Sequence, residues 1–375
     1  MSTGTRVIKT VLCYGPLHRL WPATDQNGNL YVSVSATRSF ARPLCRLLKS
    51  EDLGNSWIEL ANFHSMDPRN TTTGRPFISK EGSIMIAVWD AGFYEFGRTW
   101  LSIYRSDDGQ SWESVYENPD ATYGNHFFES DCDGEIYLCA GAGGGGSKGK
   151  VRYAPAKGLL LRSQDFGRHW EPCLEVEGPT ALYDGTALGE TLLVSARERG
   201  SIFRKEGKEE AWSEVHLGQA ARNLARIGQR VVVSSDSAIF VTSDRGHTWI
   251  KRTAPVRNVV LRYPTLFRDR VITAGVGWRS LVLAIDLDQN KWTVPLDITE
   301  IAHTRFMSRL AITPAHLFLG DEGETGSLLR VPTDSLEHGL TFVYSIMSLL
   351  TWKDASKVFE GIEKEWRSRL VAVSQ

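Results

Sequence analysis

The sequence lacks the cysteine pattern of a disulfide-stapled or zinc-binding protein. Its five cysteines (Cys13, Cys45, Cys132, Cys139, Cys173) are odd in number and contain no CxxC spacing. Such a set favours a reduced, intracellular protein with small buried thiols. We therefore expect no metal site.

Long apolar runs and charge imbalance are also missing. The most apolar stretch, Leu340 to Trp352, is only about thirteen residues, too short to cross a membrane. The N-terminus has no apolar region typical of a secretory signal, so a cytoplasmic location is expected. With 43 basic and 44 acidic side chains, the composition argues against a nucleic-acid or membrane-surface partner.

Glycine and tryptophan are abundant, at 34 and 12 residues, which suits an all-β fold with many tight turns. A short pattern, S-x-D-x-G-x-x-W, recurs four times between apolar strands. The four copies are Ser50 to Trp57, Arg105 to Trp112, Ser163 to Trp170 and Thr242 to Trp249. In the second copy, Asp107 is taken as the Asp of the pattern. In each copy the Asp is expected to cap backbone N–H groups of a tight turn, and the Gly to supply an unusual backbone angle. The copies are thus predicted to be scaffold.

Seven strand-rich units follow from this repeat. Their second strands begin at Leu30, Ile84, Ile136, Thr191, Arg230, Arg270 and His316. This spacing predicts an all-β fold, a seven-bladed β-propeller of four-stranded blades over residues 1–340. Arg6 to Leu12 is expected to close blade seven, with Leu340 to Ile346 as a competitor. Residues 341–375 predict an amphipathic helix packed on the propeller, or less favourably a dimer contact.

The innermost strands of a propeller line a central channel, and six of the seven units place a basic or potentially basic residue at a corresponding position there. Those residues, with the aromatic side chain of unit one, are His18, Arg19, Trp21, Arg75, His126, Arg222, Arg262 and Arg309. Converging guanidinium groups suit a carboxylate or phosphate. The competing interpretation pairs these arginines with carboxylates such as Asp90, Asp184 and Glu129 as struts between blades.

Loops between second and third strands add Trp89, Asp90 and Trp278 as aromatic and acidic candidates beside the channel. Residues Gly144 to Lys150 fit G-x4-G-K, but Val151 replaces the required Ser or Thr and no helix pattern follows. A flap over the channel mouth is the better interpretation.

The four repeats match the Asp-box, and with His18 to Pro22 they resemble the sialidase superfamily. The resemblance implies that Arg19 is a carboxylate-binding arginine. Sialidases have six blades, and the blade count here is more similar to seven-bladed Asp-box proteins, which include polysaccharide lyases, glycosidases and photosystem assembly factors.

Two functional hypotheses remain. The first is an enzyme, a lyase, cyclase or hydrolase, acting on an anionic small molecule or sugar without a cofactor. Arg19, Arg75 and Arg262 would hold the anion, His126 with Tyr183 or Tyr263 would move protons, and Asp90 or Asp184 would act as general acid in hydrolysis. The second is a non-catalytic scaffold, monomeric or weakly dimeric, that binds a protein partner through its basic face.

Overall fold

The computed structural model describes residues 8–11, 18–36, 45–63, 71–90, 100–132, 134–143, 155–207, 211–277, 280–298, 309–320, 322–323 and 327–336. Within these ranges no helix is long and apolar enough to cross a membrane. The predicted helix in 341–375, the competing strand at 340–346 and the glycine-rich segment 144–150 lie outside the described residues.

The described chain forms seven antiparallel sheets of four or five strands, arranged as the blades of a propeller. The first strand, β1 (Ile8–Val11), precedes blade one. Blade one contains β2 (His18–Thr24), β3 (Leu30–Ala36), β4 (Cys45–Ser50) and β5 (Ile58–Asn62). Blade two contains β6 (Thr71–Thr73), β7 (Phe77–Ile78), β8 (Ile84–Asp90), β9 (Leu101–Ser106) and β10 (Glu113–Asn118). Blade three contains β11 (Ala121–Glu129), β12 (Ile136–Ala142), β13 (Lys157–Ser163) and β14 (Glu171–Glu177).

The remaining blades repeat this order. Blade four contains β15 (Leu182–Leu188), β16 (Thr191–Ala196), β17 (Ser201–Glu206) and β18 (Ser213–His216). Blade five contains β19 (Leu224–Ile227), β20 (Arg230–Ser234), β21 (Ala238–Thr242) and β22 (Ile250–Thr253). Blade six contains β23 (Val259–Phe267), β24 (Arg270–Gly277), β25 (Ser280–Asp286) and β26 (Lys291–Asp297). Blade seven contains β27 (Arg309–Ile312), β28 (His316–Gly320) and β30 (Ser327–Pro332); β29 (Glu322–Gly323) pairs with β2, and a 3₁₀ turn (Thr333–Leu336) follows β30.

The ring closes through the N-terminal strand. β1 pairs antiparallel with β30, so that Ile8 faces Arg330 and Val11 faces Ser327. It is the outermost strand of blade seven, in the sheet order β1-β30-β28-β27. The predicted all-β, seven-bladed propeller and its second strands are confirmed.

Seven clusters of buried apolar side chains hold the blades together, one at each blade-to-blade interface. Second strands are covered on both faces: every residue of β12 and β16 is buried. The outermost strand β10 has only exposed and half-buried positions. The continuous apolar runs in the sequence are therefore the second strands.

In the four repeated turns, called here the box turns, an Asp side chain accepts hydrogen bonds from backbone N–H groups of the same turn, as predicted. In the first, Asp52 Oδ1 accepts hydrogen bonds from the backbone N–H of Asn55 (3.0 Å) and Ser56 (2.8 Å). Ser50 Oγ accepts the N–H of Gly54, whose φ is 88°. The assignment in the second turn was wrong: Asp108, not Asp107, caps this turn, because it is one residue shorter between Asp and Gly.

Three of the box turns also receive an arginine from the preceding blade. Arg105 Nε donates to the carbonyl of Phe166 (2.9 Å), Arg204 Nε to that of Arg245 (2.8 Å) and Arg330 Nη1 to that of Leu53 (2.7 Å). Each acceptor is the left-handed residue just before the turn glycine. These contacts cross between blades, so the box turns are part of the inter-blade scaffold.

Arg105 provides a test of that scaffold. Its side chain is 3% exposed and also pairs with Asp107. Arg105→Met should lower the free energy of unfolding by about 2–4 kcal/mol, because it removes a buried guanidinium whose hydrogen bond to the Phe166 carbonyl joins two blades. Arg46→Met is the matched control: it also lies on a third strand, but its pair with Glu59 is exposed, and the expected change is about 0.5 kcal/mol or less. Equal effects in urea unfolding would contradict a scaffold role.

Candidate functional site

Three innermost strands are locally irregular where they carry candidate residues. β11 shifts register between Gly124 and His126, β15 between Leu182 and Asp184, and β23 between Arg262 and Thr265. Such bulges re-aim side chains and are frequent beside functional sites. Tyr263, within the β23 irregularity, has a φ of 52°, an unusual value for a bulky residue.

The rings of Trp21, His126 and Tyr263 meet one another at the centre of the propeller. The centroid distances are 5.8 Å from Trp21 to His126, 6.2 Å from Trp21 to Tyr263 and 5.5 Å from His126 to Tyr263. These residues come from blades one, three and six, so mutual contact places them across the axis. We call this group the aromatic plug. All three side chains are buried, and the plug fills the position where the sequence predicts an open channel.

Asn223, just before β19, joins the plug to its neighbours. Its Oδ1 accepts the backbone N–H of Tyr263 (3.2 Å), and its Nδ2 donates to Asp184 Oδ2 (3.2 Å). The same Nδ2 approaches His126 Nε2 at 3.5 Å. One buried amide therefore links blades three, four, five and six. Asn223 directly follows Arg222 in the sequence and is not among the predicted site residues.

Charge around the plug keeps His126 neutral. Burial, together with the positive charges of Arg75 and Arg309, lowers the pKa of His126 to about 3. The guanidinium of Arg309 lies over the Trp21 ring, 3.7 Å from its centroid, which is a cation–π contact. His126 thus carries no proton to donate as an imidazolium near neutral pH.

Asp184 is buried and accepts three hydrogen bonds. Its carboxylate accepts the Asn223 amide and the backbone N–H groups of Gly185 (2.8 Å) and Leu224 (3.1 Å). Burial raises the pKa of Asp184 to about 7, against the lowering effect of these hydrogen bonds and of Arg75. The carboxyl is therefore part-protonated near neutral pH.

A cavity of about 280 Å³ lies beside the plug, lined in part by Arg75, His126 and Asp184. Its other walls include Thr24 and Ile78, the last residues of β2 and β7. These strand ends lead into the turns on the same face as the box turns, here called the box face. The cavity is thus on the opposite side from the predicted channel mouth.

The opposite face, here called the loop face, carries the connections into the innermost strands. Arg222 lies there with Asp236, which its Nη2 contacts at 2.5 Å and its Nε at 3.1 Å. Burial lowers the pKa of Arg222, and the nearby charges of Arg197 and Arg262 lower it further. Arg197 also lies over the Tyr183 ring, at 5.7 Å. We call Arg197, Arg222 and Arg262 the basic cluster.

The other predicted site residues do not belong to the plug, or they lie outside the described residues. Arg19 is partly exposed near the loop-face end of β2, and Trp89 packs in the apolar cluster between blades two and three. The side chains of His18 and Asp90, and all of Trp278, are outside the described residues. Among the residues described, no three His, Cys, Asp or Glu side chains gather as metal ligands.

Neither a protein-family model nor a curated protein matches the sequence. Solved structures do match most of the chain. YCF48 bound to D1 peptide is 14% identical, with a TM-score of 0.59 over 89% of this chain and 96% of that chain. A chain of the mitotic checkpoint complex is 10% identical, with a TM-score of 0.59 over 87% and 93%. A prolyl endopeptidase is 12% identical, with a TM-score of 0.52 over 85% of this chain and 50% of that chain. At such identities these similarities show the fold alone.

The buried carboxyl of Asp184 predicts a distinct pH dependence of stability. Its folded pKa of about 7 lies above the usual value near 4, so the folded state binds more protons between these values. The contribution of Asp184 to the free energy of unfolding therefore falls as the pH rises from about 4 to 7. The free energy of unfolding of Asp184→Asn minus that of wild type should increase by about 2 kcal/mol between pH 5 and pH 8.

Asp52→Asn is the control for this series. Hydrogen bonds from Ser56 lower the pKa of Asp52 to about 2, so this carboxyl is ionised in both states above pH 5. The stability difference between Asp52→Asn and wild type should then be constant from pH 5 to pH 8. A constant difference for Asp184→Asn as well would contradict the buried-carboxyl assignment.

Proposed function

We propose that this propeller is a non-catalytic binding module that holds an acidic segment of a partner protein on its loop face. The carrying observation is the basic cluster: Arg222 pairs with Asp236, Arg197 lies over the Tyr183 ring, and the positive charges of Arg197 and Arg262 act on Arg222. An anionic partner relieves that repulsion, and guanidinium groups suit carboxylates in particular.

Ion pairs on the loop face show that its arginines bind carboxylates. Arg222 pairs with Asp236, and Arg197 Nε lies 3.8 Å from Glu198 Oε1. Glu198 also accepts a hydrogen bond from the backbone N–H of Ala181, so fewer of its acceptor positions are available to Arg197. In addition, the Nη1 atom of Arg222 is buried without a hydrogen-bond partner among the described residues. Because this atom is enclosed by protein, Arg222 acts on a partner through its charge, whereas Arg197, whose side chain is 33% exposed, offers direct contact.

The interior gives the enzyme hypothesis less support. His126 is neutral, Tyr183 lies under Arg197 and Asp184 is held by three donors. General acid–base catalysis needs a group whose pKa lies near the operating pH, and the pKa of His126 lies well below it. The catalytic roles of His126, Tyr183, Tyr263, Asp90 and Asp184 stay predictions.

The similar structures agree with a binding role. One is of a propeller-containing protein bound to a peptide and another is of a multiprotein complex. The assignment of the box turns as Asp-boxes also belongs to this proposal, supported by the Asp52 and Ser50 capping bonds. The sialidase resemblance and a cytoplasmic location stay predictions.

Peptide binding tests the proposal. A fluorescently labelled octapeptide of glutamates should bind, and a glutamine octapeptide should bind at least tenfold more weakly, as measured by fluorescence polarisation. Arg197→Met and Arg222→Met should each weaken glutamate-peptide binding roughly tenfold, since each removes about 1.4 kcal/mol of charged contact. Added salt should weaken binding as well.

Arg168→Met is the matched control. Arg168 is a half-exposed arginine in a box turn, on the opposite face. Its substitution should leave peptide affinity unchanged. Equal affinity for the two peptides, or equal loss in the Arg168 and Arg197 variants, would rule out the loop face as the binding surface.

A further inference from the structure

The cavity on the box face combines one cation with an apolar wall. Arg75 lies in a break of the innermost strand of blade two, between β6 and β7. Gly74 and Pro76 flank it, and a Cβ at Gly74 would lie 3.1 Å from the carbonyl oxygen of Gly124. Proline has no N–H to continue the strand pairing, so the break is built into the sequence.

The Arg75 guanidinium is partly buried and lines the cavity. Within the described part of the chain it has no hydrogen bond or ion pair at contact distance, although the negative charge of Asp184 acts on it. Asp184 accepts its hydrogen bonds from Asn223, Gly185 and Leu224. Since a guanidinium has five donors, those of Arg75 remain available for acceptors that enter the cavity.

Aromatic and aliphatic side chains form part of the wall, beside the polar groups of Thr24, His126 and Asp184. The Phe77 and Phe127 rings stack at 5.8 Å, and Ile78 and Leu224 also line the space. An apolar group of a ligand gains from contact with this part of the wall. At about 280 Å³ the cavity is at the small end of ligand pockets.

We propose that this cavity binds a small monocarboxylate with a compact aromatic or aliphatic body. The carboxylate pairs with Arg75, and the body packs against Phe77 and Phe127. The site is independent of the proposed peptide site, because the aromatic plug lies between the cavity and the loop face. It therefore adds a second ligand class, entering from the box face.

Phenylacetate and its neutral analogue phenylacetamide are suitable probes, with titrations followed by protein NMR. Phenylacetate should bind with a dissociation constant on the order of 1 mM or below. Phenylacetamide, of the same shape without the charge, should bind at least about fivefold more weakly. Equal binding of the two, or no binding of phenylacetate, would overturn the proposal.

Variants locate the site. Arg75→Met should weaken phenylacetate binding at least about fivefold, and Arg75→Lys should weaken it less, since the charge stays but the planar fork is lost. If Arg75→Met fails to fold, the proposal is tested by the Arg75→Lys variant and by the comparison of phenylacetate with phenylacetamide. Unchanged phenylacetate affinity in a folded Arg75 variant would contradict the assignment.

The two proposals fail separately. Arg197→Met should reduce glutamate-peptide binding and leave phenylacetate binding unchanged, and Arg75→Lys should do the reverse. Loss of both ligands in both variants would overturn the independence of the sites.

Discussion

Contact between Trp21, His126 and Tyr263 across the propeller axis determines how the innermost strands bend and how the neighbouring polar groups are hydrogen-bonded. Rings from blades one, three and six can touch only if the innermost strands bend inward at those points, and the register shifts in β11 and β23 provide that bend. Asn223 then satisfies the backbone N–H of Tyr263 and the carboxyl of Asp184. The centre is thus an aromatic core beside a buried hydrogen-bonded group formed by Asn223, Asp184 and the Tyr263 backbone, and such a group favours one unique arrangement.

The plug also separates the two proposed binding surfaces. On the loop face lie Arg197, Arg222 and Arg262, which suit a partner's carboxylates. On the box face, Arg75 lines an open cavity whose wall is partly apolar. Both surfaces use residues of the basic series found in the sequence. These basic residues lie on both faces of the ring because bulges and strand breaks turn corresponding positions of the blades toward different faces.

The blade architecture was predictable, and the site only in part. Four box turns and seven apolar second strands fix the propeller because each signal is local and repeated. The convergence of Trp21, His126 and Tyr263 depends on bulges, which leave no periodic signature. Asp236, which pairs with Arg222, lies on a different connection and has no sequence link to it. The short second box turn was misaligned at Asp107 because a one-residue deletion leaves the Ser, Gly and Trp recognisable.

The protonation of His126 tests the closed centre most directly. Long-range ¹H–¹⁵N NMR correlation spectra, recorded from pH 7 down to pH 4 and assigned with a His126→Gln variant, report both ring nitrogens. The account predicts a neutral imidazole throughout, because the pKa of His126 is about 3, with Nε2 unprotonated because it faces the Asn223 amide. Titration near the ordinary histidine value of about 6.5 would mean a solvated, open channel and would contradict the plug.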